Sequence, residues 1–163
     1  PDSQDICFIP AGGVGEFLKE SIEELPGDIV DRRGKVIGRH RGISLYTVGQ
    51  RSGLGISAGK PQYVLGLDGP GNRVMVGDRR FLSAKGLMAD TVNILVDELP
   101  ERASGKIRYA HAAAPCTIGL EDGEMRVVFD EPQEAITPGQ TVALYDRGIV
   151  LASGIIKKII PRE

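Results

Sequence analysis

Four side chains in this 163-residue chain could carry nucleophilic or soft-ligand chemistry: Cys7, His40, His111 and Cys116. Cys7 stands in PDSQDICFIP, after a polar, turn-forming lead and at the start of an apolar run. Two readings of it are open. In one, Ile6, Phe8 and Ile9 belong to a strand on which Cys7 fills a gap, as free cysteines do when they pack as small apolar residues. In the other, Asp2, Ser3, Gln4 and Asp5 leave the thiol able to meet a partner group, with reactivity set by thiolate access. Cys116, inside APCTIGL, reads as a packed strand residue. The two cysteines are too distant in sequence to suggest a disulfide framework, and with the two histidines they show no ligand spacing, so no metal is expected. A reducing cytoplasm suits such a chain.

The remaining enzyme classes are narrowed by what is missing. No nucleophile elbow accompanies either histidine, which leaves a Ser-His-Asp triad without its first member. No Walker loop occurs, and GLGISAG lacks the preceding strand and following helix of a dinucleotide fingerprint. Charge is more informative. The net charge is only −2, yet no Asp or Glu occurs between Arg32 and Leu67, while Arg32, Arg33, Lys35, Arg39, Arg41, Arg51 and Lys60 all do. Such a segment is either a solvated face or a track for phosphates, and glycines beside the cations would let backbone N–H groups approach phosphate oxygens. Aromatic residues make up 5% and there is no Trp, which disfavours extensive base stacking and favours a folded RNA read by shape and backbone.

The elements that must hold these residues fall into two groups. Val14, Phe17, Leu18, Ile22 and Leu25 recur at helical steps and predict an amphipathic helix stopped by Pro26-Gly27. GDIVDRRGKVIGRH and QYVLGLDGPGNRVMVGD predict two hairpins, and the glycine-rich stretch between them an ordered, irregular loop. After Lys85 the texture changes to short apolar runs: GLMADTVNIL, GKIRYAH, APCTIGL, MRVVFD, TVALYD, GIVLAS and GIIKKII. At the spacing of 8 to 12 residues common in barrels, these predict six or seven strands in a small closed β unit. The expected class is therefore mainly β: a small α+β lobe over residues 13–83, preceded by a cysteine-bearing segment over 1–12 and followed by a barrel over 84–163. No apolar run reaches the ~20 residues of a membrane helix, and no secretory signal is visible.

DSQDICFIP, PGDIVDRRGKVIGRHRG, YTVGQRSGLGI and ITPGQTVALYD, in this order and at these distances, resemble the C-terminal portion of the tRNA-specific 2-thiouridylases. Four motifs in register over nearly the whole chain make this far more specific than any one of them. The resemblance implies a central domain followed by a six-stranded, translation-factor-like β-barrel. It also implies a sulfurtransferase that replaces the C2 oxygen of the wobble uridine of tRNA, using ATP and a persulfide. Cys7, in DICF, falls on the family's second catalytic cysteine. Its implied role is to take sulfur as a persulfide from a sulfur-relay or cysteine desulfurase protein, after which the sulfur reaches C2 of an adenylated uridine, directly or as sulfide, and a partner cysteine closes a disulfide with Cys7.

For tRNA binding, the resemblance points to Arg108, Tyr109 and Gln140. His40, Arg41, Gln50 and Arg51, in the family's most typical stretch, are expected to face tRNA or to be structural. The family's serine-glycine-glycine ATP loop and first catalytic cysteine are absent from these residues. ATP is thus expected to be bound by an N-terminal domain outside them, and this portion is not expected to thiolate tRNA unaided. Ser52 stands where the family usually has a lysine, and PAGGVGEFL lacks an aromatic residue often found there; both bear on the strength of RNA binding. The alternative is a non-catalytic, translation-factor-like RNA-binding module in which Cys7 only packs.

Overall fold

The computed structural model describes residues 25–56, 59–109 and 111–162. Cys7 and all but the last residue of the expected helix lie outside them. The chain divides into two compact units, Pro1–Gly77 and Asp78–Glu163.

In the first unit, the two hairpins form where Gly/Pro/Asn/Asp clusters interrupt β-branched runs. β1 (Gly27–Val30) and β2 (Val36–His40) are joined by a turn in which Asp31 Oδ1 accepts from Arg33 N at 2.8 Å and Lys35 N at 2.9 Å. This side-chain mimicry of a backbone turn is the usual reason for Asp at such a position. β3 (Tyr63–Asp68) and β4 (Arg73–Gly77) form the second hairpin. Its turn is held by Asp68, which accepts from Gly71 N at 3.0 Å and from Arg73 Nη2 at 2.7 Å. Adding the hairpins gives a mixed sheet of order β2-β1-β4-β3, because β1 and β4 pair in parallel while the hairpin pairs are antiparallel. Val74 and Val76 alternate with exposed Arg73 and Met75 along β4, and with Ile29, Leu54 and Val64 they make the core of this unit. Asn72, at φ 47°, ties the sheet to the incoming chain: its Nδ2 donates to Leu25 O at 3.2 Å and Pro26 O at 3.1 Å.

The second unit is a closed six-stranded antiparallel barrel. Its strands are β5 (Ser83–Ile94), β6 (Arg102–Lys106), β7 (Ala114–Glu121), β8 (Glu124–Glu134), β9 (Thr141–Asp146) and β10 (Ile149–Pro161), in the order β10-β5-β8-β7-β6-β9. Met125, Val127 and Phe129 point inward from β8 and are fully buried, with Leu87, Ile136, Val142, Leu144 and Ile156 around them. Each such side chain contributes about 1.5–3 kcal/mol relative to exposure. Gly105 allows a close approach: a Cβ there would lie 2.9 Å from Phe129 Cε1 and 3.2 Å from Cys116 Sγ.

The seven apolar runs expected after Lys85 become six strands because the last two merge. GIVLAS and GIIKKII are one strand, β10, whose register against β5 shifts after Ser153 and again after Ile156. Such irregularities bend a strand and let one long segment pair on both sides of a small barrel. GKIRYAH, by contrast, contributes only its first two residues to β6, and the chain leaves the ladder from Ile107 onward.

Candidate functional site

Arg108 and Gln140, 32 residues apart, meet at one turn. The turn follows β8, where Ile136 is buried and Thr137-Pro138-Gly139-Gln140 reverses the chain into β9. Gly139 takes φ 87°, a left-handed conformation that costs glycine little, and Gln140 N donates to Thr137 O at 3.2 Å. Two further backbone bonds, Gly139 N to Ile156 O and Ile156 N to Gln140 O, both 2.8 Å, fasten the turn to β10. From the other side, Arg108 Nη2 donates to Thr137 Oγ1 at 2.5 Å, and that hydroxyl donates to Ala135 O at 3.0 Å.

Arg108 is half-buried here, and removal from water pushes its pKa below the usual arginine range. A guanidinium nevertheless stays charged at neutral pH, so the turn carries a fixed cation. Gln140 Oε1 is buried with no hydrogen-bond partner among the described residues. Tyr109, next to Arg108, projects from the surface with 73% exposure, and Lys106 Nζ lies 5.4 Å from its ring centroid. A cation on the turn and an exposed ring with a second cation over it can together pair a phosphate and stack on a base.

The four residues singled out in the glycine-rich segment are placed differently. His40 is buried at 2% exposure; its Nε2 donates to Asn72 O at 3.1 Å, and its ring meets Tyr46 edge-on at 5.7 Å. Gln50 uses both ends of its amide within the loop, accepting from Thr47 N at 3.0 Å and donating to Ser52 O at 2.9 Å. Arg41 and Arg51 are exposed, and Arg51 lines a shallow recess with Lys60, Gln62 and the backbone at Gly53 and Gly55. The structure therefore gives His40 and Gln50 hydrogen-bonding work inside the fold and leaves Arg41 and Arg51 facing solvent. Of the other cations in that segment, Arg39 sits 3.7 Å from Asp28 on the neighbouring strand.

Cys116 is fully buried on β7, with Sγ 3.5 Å from Ala103 O, and burial pushes its thiol up to about 11. It is a core residue with almost no thiolate at neutral pH. Among the described residues, no three His, Cys, Asp or Glu side chains are grouped so as to hold a metal ion, and no helix is long and apolar enough to cross a membrane. Thr137, which joins Arg108 to Gln140, was not singled out from sequence; its position before Pro-Gly is a turn signal only, and nothing local announces its arginine partner.

Comparison with known proteins adds to this geometry. Residues 15–78 match the tRNA methyl transferase PRC-barrel domain family, and residues 84–156 match the aminomethyltransferase beta-barrel domain family. The chain is similar to the tRNA-specific 2-thiouridylase MnmA of Acetivibrio thermocellus, 48% identical over 163 residues that cover 96% of this chain and 45% of the relative. It is also similar to the proteins of the same name from Nostoc sp. (46% identity, covering 97% of this chain and 46% of the relative) and Natranaerobius thermophilus (42%, covering 100% and 46%). The chain thus spans less than half the length of these curated relatives.

Proposed function

The chain belongs to the tRNA-specific 2-thiouridylase family, and we propose that it forms the C-terminal part of an enzyme that thiolates the wobble uridine of tRNA at C2, with Cys7 as the sulfur carrier. The observation that carries this reading is the 42–48% identity to 2-thiouridylases along essentially the entire chain, together with the DICF segment at Cys7.

In this reading the Cys7 thiolate attacks the outer sulfur of a persulfide on a sulfur-relay or cysteine desulfurase protein. The donor's S–S bond breaks, the donor leaves as a thiolate, and Cys7 holds the persulfide. The outer sulfur of the Cys7 persulfide then attacks C2 of the uridine, whose activated oxygen leaves with the adenylate; a second thiolate outside these residues attacks Cys7 Sγ, breaks its bond to the transferred sulfur and closes a disulfide with Cys7. ATP is the group that makes the uridine oxygen a leaving group. The described residues do not suit it: their only helical segments are the 3₁₀ turns Ile43–Leu45 and Arg79–Leu82, so no phosphate-binding helix N-terminus follows a glycine loop. ATP is therefore assigned outside the described residues, and no step of it is routed through them.

What the described residues supply is docking. Arg108, pinned by Thr137, offers a fixed cation to the tRNA backbone; Tyr109 offers an exposed ring, and Gln140 completes the turn that holds Arg108. Such an enzyme works in the cytoplasm, where its tRNA is.

The buried Cys116 makes the test clean, because it should not compete for label. In the protein carrying this chain, incubation with a cysteine desulfurase and ³⁵S-cysteine is expected to label Cys7, with the label reducible by dithiothreitol, lost in Cys7→Ser and kept in Cys116→Ser. Absence of label in folded protein, or label unaffected by Cys7→Ser, would overturn sulfur carriage and favour a non-catalytic RNA-binding module.

A further inference from the structure

The outer wall of the barrel holds a recess at the end of β6. Ser104 pairs with Tyr145, and Lys106 with Ala143, across the β6–β9 ladder. Gly105 and Leu144, which alternate with them, are buried in the core, so Ser104, Lys106 and Tyr145 share the outer face. The loop after β6 brings His111 to this face, and the Asp146-Arg147-Gly148 turn before β10 brings Arg147. The left-handed φ of Arg147 (47°) and Gly148 (84°) makes that reversal tight. Together these residues line an open cleft of about 410 Å³, a volume within the range that holds small ligands.

The lining has a definite character. It contains two cations, an aromatic ring, a hydroxyl and an imidazole, and no carboxylate. Neither Lys106 nor Arg147 takes part in any ion pair among the described residues. Lys106 links the cleft to Tyr109, since its ammonium also lies over the Tyr109 ring at 5.4 Å from the centroid. Paired cations without a counter-charge suit a phosphate, a ring wall suits a base face, and hydroxyl and imidazole groups suit ribose or base edges.

We propose that this cleft is a nucleotide subsite, in which an unstacked nucleotide of a tRNA loop places its phosphate at Lys106 and Arg147 and its base against Tyr145. The subsite rests on the tRNA reading given above and extends the docking surface from the turn onto the β6–β9 wall. An unstacked loop nucleotide is the part of an RNA whose base faces are open to such a wall.

The test is the affinity of the protein carrying this chain for a tRNA with uridine at the wobble position, measured across salt concentrations. The variants are Lys106→Gln with Arg147→Gln, and, as a control, Arg126→Gln on β8 across the barrel. The double variant is expected to bind about tenfold more weakly near 0.1 M salt and to show a log–log salt slope shallower by about 1, one phosphate's worth, while the control changes neither. Ultraviolet crosslinking is expected to attach tRNA to the peptide containing Tyr145. Should the unaltered protein bind tRNA while the double variant binds equally well with the same slope, or should Arg126→Gln weaken binding as much, the subsite is refuted and the tRNA reading stands. Should the unaltered protein not bind tRNA, both fall.

Discussion

Replacing Thr137 by Val keeps the shape of the side chain and removes the hydroxyl through which Arg108 is joined to the turn that carries Gln140. Two hydrogen bonds are lost: from Arg108 Nη2 to Oγ1 (2.5 Å) and from Oγ1 to Ala135 O (3.0 Å). A bond to a charged group is worth about 1.5–3 kcal/mol and a neutral one about 0.5–1.5. The guanidinium is half-open to water, which can rehydrate it, so the first belongs near or below the bottom of its range. The sum is then about 2 kcal/mol, of which the new methyl returns a few tenths. For the unit spanning Asp78–Glu163, this corresponds to a fall in melting temperature of roughly 10 °C. Scanning calorimetry measures it. Hydrogen exchange at Ile156 N and Gly139 N, which fasten the same turn to β10, shows whether the loss is local. Thr137→Ser retains the hydroxyl and is expected to lose less than half as much. If Thr137→Val changes stability by under 0.5 kcal/mol, or Thr137→Ser is as damaging as Val, the hydroxyl does not anchor Arg108 and the pinned-cation account is wrong.

Other consequences are equally open to measurement. Asn72→Ala is expected to destabilise the sheet unit by about 2 kcal/mol, through two side-chain bonds and the left-handed φ, and Asn72→Gly by about half that; equal losses in urea titrations would show that the φ contributes nothing. Gly105→Ala drives a methyl onto Phe129 and Cys116 and is expected to cost about 1–3 kcal/mol in the barrel transition, an expectation that fails if its melting point is unchanged. The Arg73 guanidinium and Gly71 N–H hold the Asp68 carboxylate below its ordinary 3.8. Its contribution is therefore present above that pH and is lost as pH falls through the lower folded value, so acid should weaken the sheet unit more in the unaltered protein than in Asp68→Asn. The Cys116 thiol, raised from 9.0 to about 11, should resist iodoacetamide at pH 8 until the barrel unfolds, and deprotonation of the unfolded chain should lower stability between pH 9 and 11; labelling in the folded barrel would contradict its burial.

Much of the fold is legible in the sequence because it rests on local signals. The Asp31-to-Lys35 and Gly69-to-Asn72 turns announce both hairpins, and the alternation along Val74–Val76 and Met125–Phe129 marks which faces are buried. The parallel pairing of β1 with β4 is not legible, since nothing in either strand encodes which edge the second hairpin adds to. β10 is read as two strands because Gly154 looks like a breaker; it is a close-packed glycine, where a Cβ would stand 3.1 Å from Ala89 Cβ. GKIRYAH is read as a strand because Ile107 and Tyr109 alternate, whereas Ile107 turns into the core and Tyr109 out to solvent only after the ladder has ended.

Site residues divide in the same way. Residue type finds Arg108, Tyr109 and Gln140 only with the help of family motifs, because a strand-surface arginine and a turn glutamine are ordinary in isolation. Their meeting through Thr137 is a tertiary fact. The glycine-rich segment around His40 and Gln50 carries a strong motif whose structural share is now visible: the imidazole and the amide brace the loop and the Asn72 turn.

The central claim is that the sulfur delivered to tRNA passes through Cys7. The most direct measurement is the 2-thiouridine content of tRNA, by mass spectrometry of nucleosides, from cells whose own copy of this protein is replaced by a Cys7→Ser variant expressed at the same level. The account predicts that wobble 2-thiouridine disappears with Cys7→Ser and persists with Cys116→Ser. Undiminished 2-thiouridine in the Cys7→Ser cells would contradict it.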